Sequence, residues 1–215
     1  MTDNQHRAAK QRIFESALTL FARKGYAAVG VREIARNAKV NISMINYYYG
    51  EKAGILKTII NQCYDRYLKA ITIVGDEDLP VEEHVRKMIH TVVRFFYENT
   101  ELAIVAFGIM PIAVPEAMEL KVKWVMGTRE GMANLYKKLD VDTANTLQES
   151  IGPAAFIAAI HHHFQSKYVN EQYPQFKGYA AQLTDDFYDK YANALADVFL
   201  YGYLGRKQKS KEAKQ

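Results

Sequence analysis

The segment from Gly25 to Lys52 constrains this chain more than any other part of it. It reads Gly25-Tyr26, then Val31-Arg32-Glu33-Ile34-Ala35 with Ala38-Lys39-Val40, then Asn41-Ile42-Ser43-Met44-Ile45-Asn46-Tyr47-Tyr48-Tyr49-Gly50-Glu51-Lys52. Val31, Ile34, Ala35 and Ala38 share one side of a helix, because residues three and four apart lie on the same face. Asn41 is placed to cap a further helix, its side-chain oxygen meeting amides of the first turn. Gly50 ends that helix. Two short amphipathic helices with a three-residue joint fit a helix-turn-helix, in which one helix crosses the DNA backbone and the next lies in the major groove.

Charge supports a nucleic-acid partner at this end of the chain. Residues 1–52 hold nine Lys and Arg against four Asp and Glu, whereas the remainder holds 19 basic and 20 acidic residues. A basic module on a nearly neutral body suits phosphate attraction, although surface scatter alone gives the same count. No apolar run approaches the ~18 residues that span a bilayer, and the start Met1-Thr2-Asp3-Asn4-Gln5-His6-Arg7 has no signal-peptide stretch. The lone cysteine, Cys63, has no internal disulfide partner, so a reducing cytoplasm is the expected compartment, with no membrane partner.

Helical periodicity continues along the chain. Ile13, Phe14, Ala17, Leu18, Leu20 and Phe21 recur at three- and four-residue spacing, which predicts a helix from about 5 to 24, stopped by Gly25. Helices are expected over 31–38, 41–48, 51–74, 81–98, 100–110, 115–139, 143–169 and 180–205, about nine in total in an all-α fold. Gly75-Asp76-Glu77-Asp78-Leu79-Pro80 is the clearest linker. Pro153 should kink or restart its helix. The residues 206–215 are expected as a disordered basic tail. The domains follow as 1–52 for DNA binding and 53–205 for a larger helical part.

With Ile13, Ala17, Leu20-Phe21, Gly25-Tyr26, Val31-Arg32-Glu33-Ile34-Ala35, Ala38, Val40, Tyr48-Tyr49, Lys52 and Ile55-Leu56 in this order and spacing, the chain resembles the TetR family of transcriptional regulators. The resemblance is strongest over residues 8–60; beyond them it rests on length and helix count. It departs from the family's usual choices at Gly30, where Thr or Ser commonly caps the second helix, at Asn46 and Tyr49, and at Lys39, which stands where Gly is frequent. An operator borrowed from a relative is therefore not implied.

The helix over 42–48 contains no Lys or Arg, so recognition would rely on amide, hydroxyl and apolar contacts. Asn46 can bond an adenine edge in two places, Ser43 and Tyr47 can reach single acceptors, and Ile42 or Met44 can touch a thymine methyl. Arg32 matches a family position that often reaches guanine. Lys52, at the start of the following helix, and the hydroxyls of Tyr47 and Tyr48 are candidates for phosphate, which sets register and affinity but not sequence. Arg7, Lys10 and Arg12 add charge from the N-terminal arm.

In the larger part, the resemblance implies a cavity for a small effector and a dimer. Phe95, Phe96, Phe107, Met110, Trp124, Phe156 and His162 are candidate lining residues, each of which would also serve as ordinary core. Few charges interrupt 102–115 and 151–164, which favours an apolar or amphipathic effector. Leu183, Phe187, Tyr191, Leu195 and Val198 form a helical stripe, and Ala155 and Ala159 permit close approach of a partner helix; a buried helix shows the same stripe. His161-His162-His163 cannot converge on one ion, since consecutive helical residues point about 100° apart, so no metal is expected.

The function implied is a homodimeric repressor released from a near-palindromic DNA operator by its effector, with activation or effector-independent DNA binding as alternatives. A helical enzyme or carrier is disfavoured: the sequence has no glycine-rich phosphate loop, nucleophile elbow, paired Glu-x-x-His or cysteine cluster, and no cofactor is expected.

Overall fold

The computed structural model describes residues 3–108, 114–140, 146–173, 175 and 183–212. Its described residues form ten helices and no strand: α1 (Asp3–Lys24), α2 (Val31–Ala38), α3 (Ile42–Tyr49), α4 (Lys52–Gly75), α5 (Val81–Glu98), α6 (Thr100–Gly108), α7 (Pro115–Gly131), α8 (Ala133–Lys138), α9 (Thr146–Gln172) and α10 (Asp185–Glu212). The all-α expectation holds, with one helix more than periodicity suggested. The segment 115–139 is two helices, because the chain leaves helical geometry at Met132 (φ −107°, ψ 2°). A β-carbon at Gly75 would stand 1.9 Å from the Gly131 carbonyl oxygen. This close approach of two backbones, with a poor helix former at 131, accounts for the break.

Two other expectations change. Helix α9 continues through Pro153 instead of restarting there, although proline removes one backbone donor. Helix α10 runs on to Glu212, so residues 206–212 are helical and not a disordered tail. Arg, Lys, Gln and Glu, which fill most of this stretch, are good helix formers, and cations suit a helix C-terminus. The rest of the tail, 213–215, lies outside the described residues.

The chain packs as two units, one comprising Met1–Arg66 with Asn99–Met126 and the other Tyr67–Glu98 with Gly127–Gln215. In the first, Ile13, Ala17, Ile34, Ile45, Ile55, Leu56 and Ile59 are fully buried, each contributing about 1.5–3 kcal/mol for its larger side chains. Polar bonds fix the helices around this core. Ser16 Oγ donates to the Ile34 carbonyl at 3.2 Å and Arg12 Nε to the Ala38 carbonyl at 3.2 Å, tying α1 to α2. Tyr49 Oη donates to the Lys10 carbonyl at 2.9 Å, tying α3 to α1.

In the second unit, α5 packs against α8, α9 and α10. Val85, Met88, Ile89, Val92, Val93, Phe95 and Phe96 bury its apolar face. Arg86 bonds Asp197 of α10 at 2.8 Å and Glu82 one turn back at 3.1 Å, and both carboxylates raise the guanidinium's pKa. Among the described residues no helix is long and apolar enough to cross a membrane.

Candidate nucleic-acid interface

Local backbone geometry at Gly25, Gly30, Lys39 and Asn41 sets α2 and α3. Gly25 takes a positive φ of 77° and its amide donates to the Phe21 carbonyl at 2.9 Å, closing α1. Gly30 precedes α2 in extended geometry with no side-chain cap, as its lack of a side chain requires. Lys39 adopts the left-handed region (φ 54°, ψ 49°), where glycine would be unstrained. The Val40 amide then reaches the Ala35 carbonyl at 3.0 Å. Asn41 Oδ1 accepts from the Ser43 amide at 3.0 Å and so caps α3.

The faces of α3 then separate. Ile45 points inward and is fully buried, while Ile42, Ser43, Asn46 and Tyr47 are exposed, Tyr47 by 75%. These four positions, at i, i+1, i+4 and i+5, form a continuous outward strip. Met44 is half-buried at its edge, and Arg32 is exposed in the first turn of α2. The carboxylate of Glu33, next to Arg32, is paired with Lys24 at 2.6 Å. An outward strip of amide, hydroxyl and apolar groups can read base edges by hydrogen bonds and methyl contact.

The remaining candidates are placed differently from one another. Tyr49 packs inward, and burial pushes its hydroxyl up to about 12. Tyr48 is half-buried, and its hydroxyl lies 2.5 Å from Nδ1 of His6 on α1. Lys52 is turned into the chain: its ammonium donates to the carbonyls of Tyr26 and Val29, both at 3.0 Å, and sits 4.1 Å from the Tyr26 ring centroid. Burial lowers its pKa. Lys52 thus pins the loop before α2 to the start of α4. His6 escaped the sequence reading, since no spacing rule relates residues 42 positions apart.

A model of the N-terminal region of bacterial regulatory proteins of the tetR family matches residues 13–59. Over residues 13–59 the chain carries the N-terminal module of the TetR family. It is 28% identical over 97 residues to the probable HTH-type transcriptional regulator YttP of Bacillus subtilis (strain 168), covering 44% of this chain and 47% of that protein. It is 20% identical over 114 residues to IcaR of Staphylococcus epidermidis, the negative transcriptional regulator of the icaADBC biofilm operon, covering 53% of this chain and 59% of that one. The chain spans about half the length of these curated relatives. Among solved structures, FadR of Bacillus subtilis in complex with stearoyl-CoA superposes with a TM-score of 0.63 at 15% identity, over 89% of this chain and 98% of that one. At that identity the likeness shows the fold alone.

The candidate pocket residues lie among aromatic neighbours within each unit. In the first unit, Trp124 stacks on Tyr64 at 5.1 Å and meets Phe107 edge-on at 5.1 Å. In the second, Phe95 and Phe96 are buried, with Phe95 against Tyr67 at 5.4 Å and Phe96 against Phe164 at 5.8 Å. Phe156 is buried beside Phe199 at 5.1 Å. Met110 lies outside the described residues. His162 is exposed; it is His163 that is enclosed, stacked on Tyr191 at 4.5 Å and Phe187 at 5.8 Å. Burial lowers the His163 pKa, helped by the charges of Lys167 and His162.

Of the candidate dimer residues, Leu183 is buried within the chain, Phe187, Tyr191, Leu195 and Val198 are half-buried, and Ala155 and Ala159 are exposed. Phe187 and Tyr191 thus pack first against His163 of their own chain. Among the described residues no group of three His, Cys, Asp or Glu could hold a metal ion.

Proposed function

We propose that this TetR-family chain is a ligand-responsive transcriptional repressor. As a homodimer it occupies a near-palindromic operator on double-stranded DNA, and a small apolar or amphipathic effector releases it. The observation that carries the DNA-binding part is the division of α3, with Ile45 fully buried and Ser43, Asn46 and Tyr47 facing outward. Residues 1–52 supply this reading head, with Arg32, Asn46 and Tyr47 setting sequence preference, and 53–205 supply effector binding and dimerisation. Two heads one helical turn apart would match a two-fold operator.

Negative regulation is supported by the likeness to IcaR. An amphipathic effector is supported by the fold shared with a regulator crystallised with stearoyl-CoA. The dimer is supported by α9, where Ala155, Ala158, Ala159 and His162 are exposed together with Val169. Small side chains on an open helix face let a partner helix approach closely. Release requires the effector to bind the DNA-incompetent state more tightly than the DNA-bound one; affinity alone shifts nothing.

The test is selection of duplexes from a random pool by the purified protein, followed by competition with stearoyl-CoA against free CoA. Enrichment of a two-fold sequence, and its release by the acyl thioester alone, is expected. A pool that stays random would end the DNA-binding reading, and a complex insensitive to the acyl thioester would end this choice of effector class.

A further inference from the structure

The recognition helix has no Lys or Arg, and a phosphate oxygen only accepts hydrogen bonds. An anchor on α3 must therefore be a neutral donor, and Tyr48 has a single hydroxyl proton to give. That hydroxyl is shared with His6, whose Nδ1 lies 2.5 Å from Tyr48 Oη. The two rings meet edge-on at 6.0 Å, and Tyr47 closes the group, 6.1 Å from His6 and 4.9 Å from Tyr48.

The direction of this one bond decides what Tyr48 offers DNA. When Nδ1 is bare, it accepts the tyrosine proton, and the oxygen presents only lone pairs, which a phosphate repels. When Nδ1 carries hydrogen, it donates to the tyrosine oxygen and the O–H turns outward. Protonated imidazole carries hydrogen on both nitrogens, so it always enforces the second arrangement and adds positive charge beside the helix. The neutral Nδ1–H tautomer achieves the same direction without the charge.

We propose that His6 is a positioning residue for DNA binding, orienting the Tyr48 hydroxyl toward a backbone phosphate and taking up a proton as the complex forms. The proposal rests on the reading of α3 as the groove helix. Its surroundings suit it. The helix packed against His6, α3, presents Tyr47 and Tyr48 and contains no carboxylate. On its own helix the charged neighbours in register are Asp3 at i−3, Arg7 at i+1 and Lys10 at i+4. A phosphate brought against the cluster favours an added positive charge there, so DNA binding and protonation reinforce each other. One proton per subunit comes from solvent and no covalent bond changes.

The test uses the full chain and a labelled duplex that the wild-type protein has enriched from a random pool, with affinity measured from about pH 6 to pH 8 at constant ionic strength. Wild type is expected to bind about fivefold to tenfold more tightly at the acid end, the scale of one net hydrogen bond. His6→Ala should lose that gain and show a flat profile. His6→Gln, whose amide donates but does not titrate, should keep most of the affinity with a flat profile. Tyr48→Phe should weaken binding, and His6→Ala added to it should cost nothing further. A His6→Ala protein that keeps the wild-type pH slope, or losses that add in the double variant, would overturn the proposal. If His6→Ala unfolds, His6→Gln carries the same decision. A wild-type protein that enriches no duplex is a separate result, which refutes the groove-helix reading itself.

Discussion

Gly54 of α4 stands directly beneath the end of α3: a β-carbon at position 54 would lie 1.9 Å from the Tyr49 carbonyl oxygen. The obstructing atom is backbone, so no side-chain rotation relieves it. The approach of α4 to α3 is thus available only to glycine. Gly54→Ala is expected to destabilise the protein by about 1–3 kcal/mol, measured by denaturant unfolding, and to weaken DNA binding by displacing α3. Unchanged stability would mean that α3 and α4 separate at no cost.

Lys39 makes the opposite case, a side chain where none is wanted. Its φ of 54° lies in the left-handed region, which costs most L-residues roughly 1–2 kcal/mol. Lys39→Gly should therefore raise stability by about 0.5–1 kcal/mol after glycine's greater unfolded-state freedom is offset. The urea midpoint should move upward with an unchanged slope; a downward shift would show that the Lys39 side chain contributes more than its backbone loses.

Asn46 is exposed on α3, so its removal should leave folding within about 0.5 kcal/mol. On the groove-helix reading, Asn46→Ala relaxes preference at one base pair and costs about 1–3 kcal/mol of specific affinity. Repeating the duplex selection with the variant checks this. An identical consensus and affinity would remove Asn46 from the reading surface.

Lys52 separates a structural role from a DNA-contacting one. Its ammonium donates to the Tyr26 and Val29 carbonyls and covers the Tyr26 ring. Lys52→Met is expected to lower stability by about 1–3 kcal/mol, through two lost bonds and a lost cation–π contact. The salt dependence of DNA binding should barely move. If stability holds and the salt slope falls by about one instead, the ammonium serves a phosphate.

The helix-turn-helix was readable because its determinants are local. Gly25, Asn41 and Gly50 act on their own backbone or on amides two to four residues away, and the spacing of Ile34, Ala35, Ala38 and Ile45 states which sides turn inward. The outward strip of Ser43, Asn46 and Tyr47 follows from the same period. The aromatic candidates of the larger part were less legible, since a Phe on an apolar face has the same pattern whether it fills a core or lines a cavity. Phe107 and Trp124 fell with Tyr64, while Phe95 and Phe96 fell with Tyr67 and Phe164.

What the sequence determined by itself is the all-helical class, the bounds and caps of the helix-turn-helix, and which faces its helices bury, because hydrogen bonds and side-chain period act over a few residues. Only the tertiary structure decided that Lys52 faces the Tyr26 loop, that His163 and not His162 is enclosed, that the chain breaks at Met132, and that His6 meets Tyr48. Each depends on atoms brought together from distant positions, where the direction of a side chain is set by the helix packed against it and not by its own repeat.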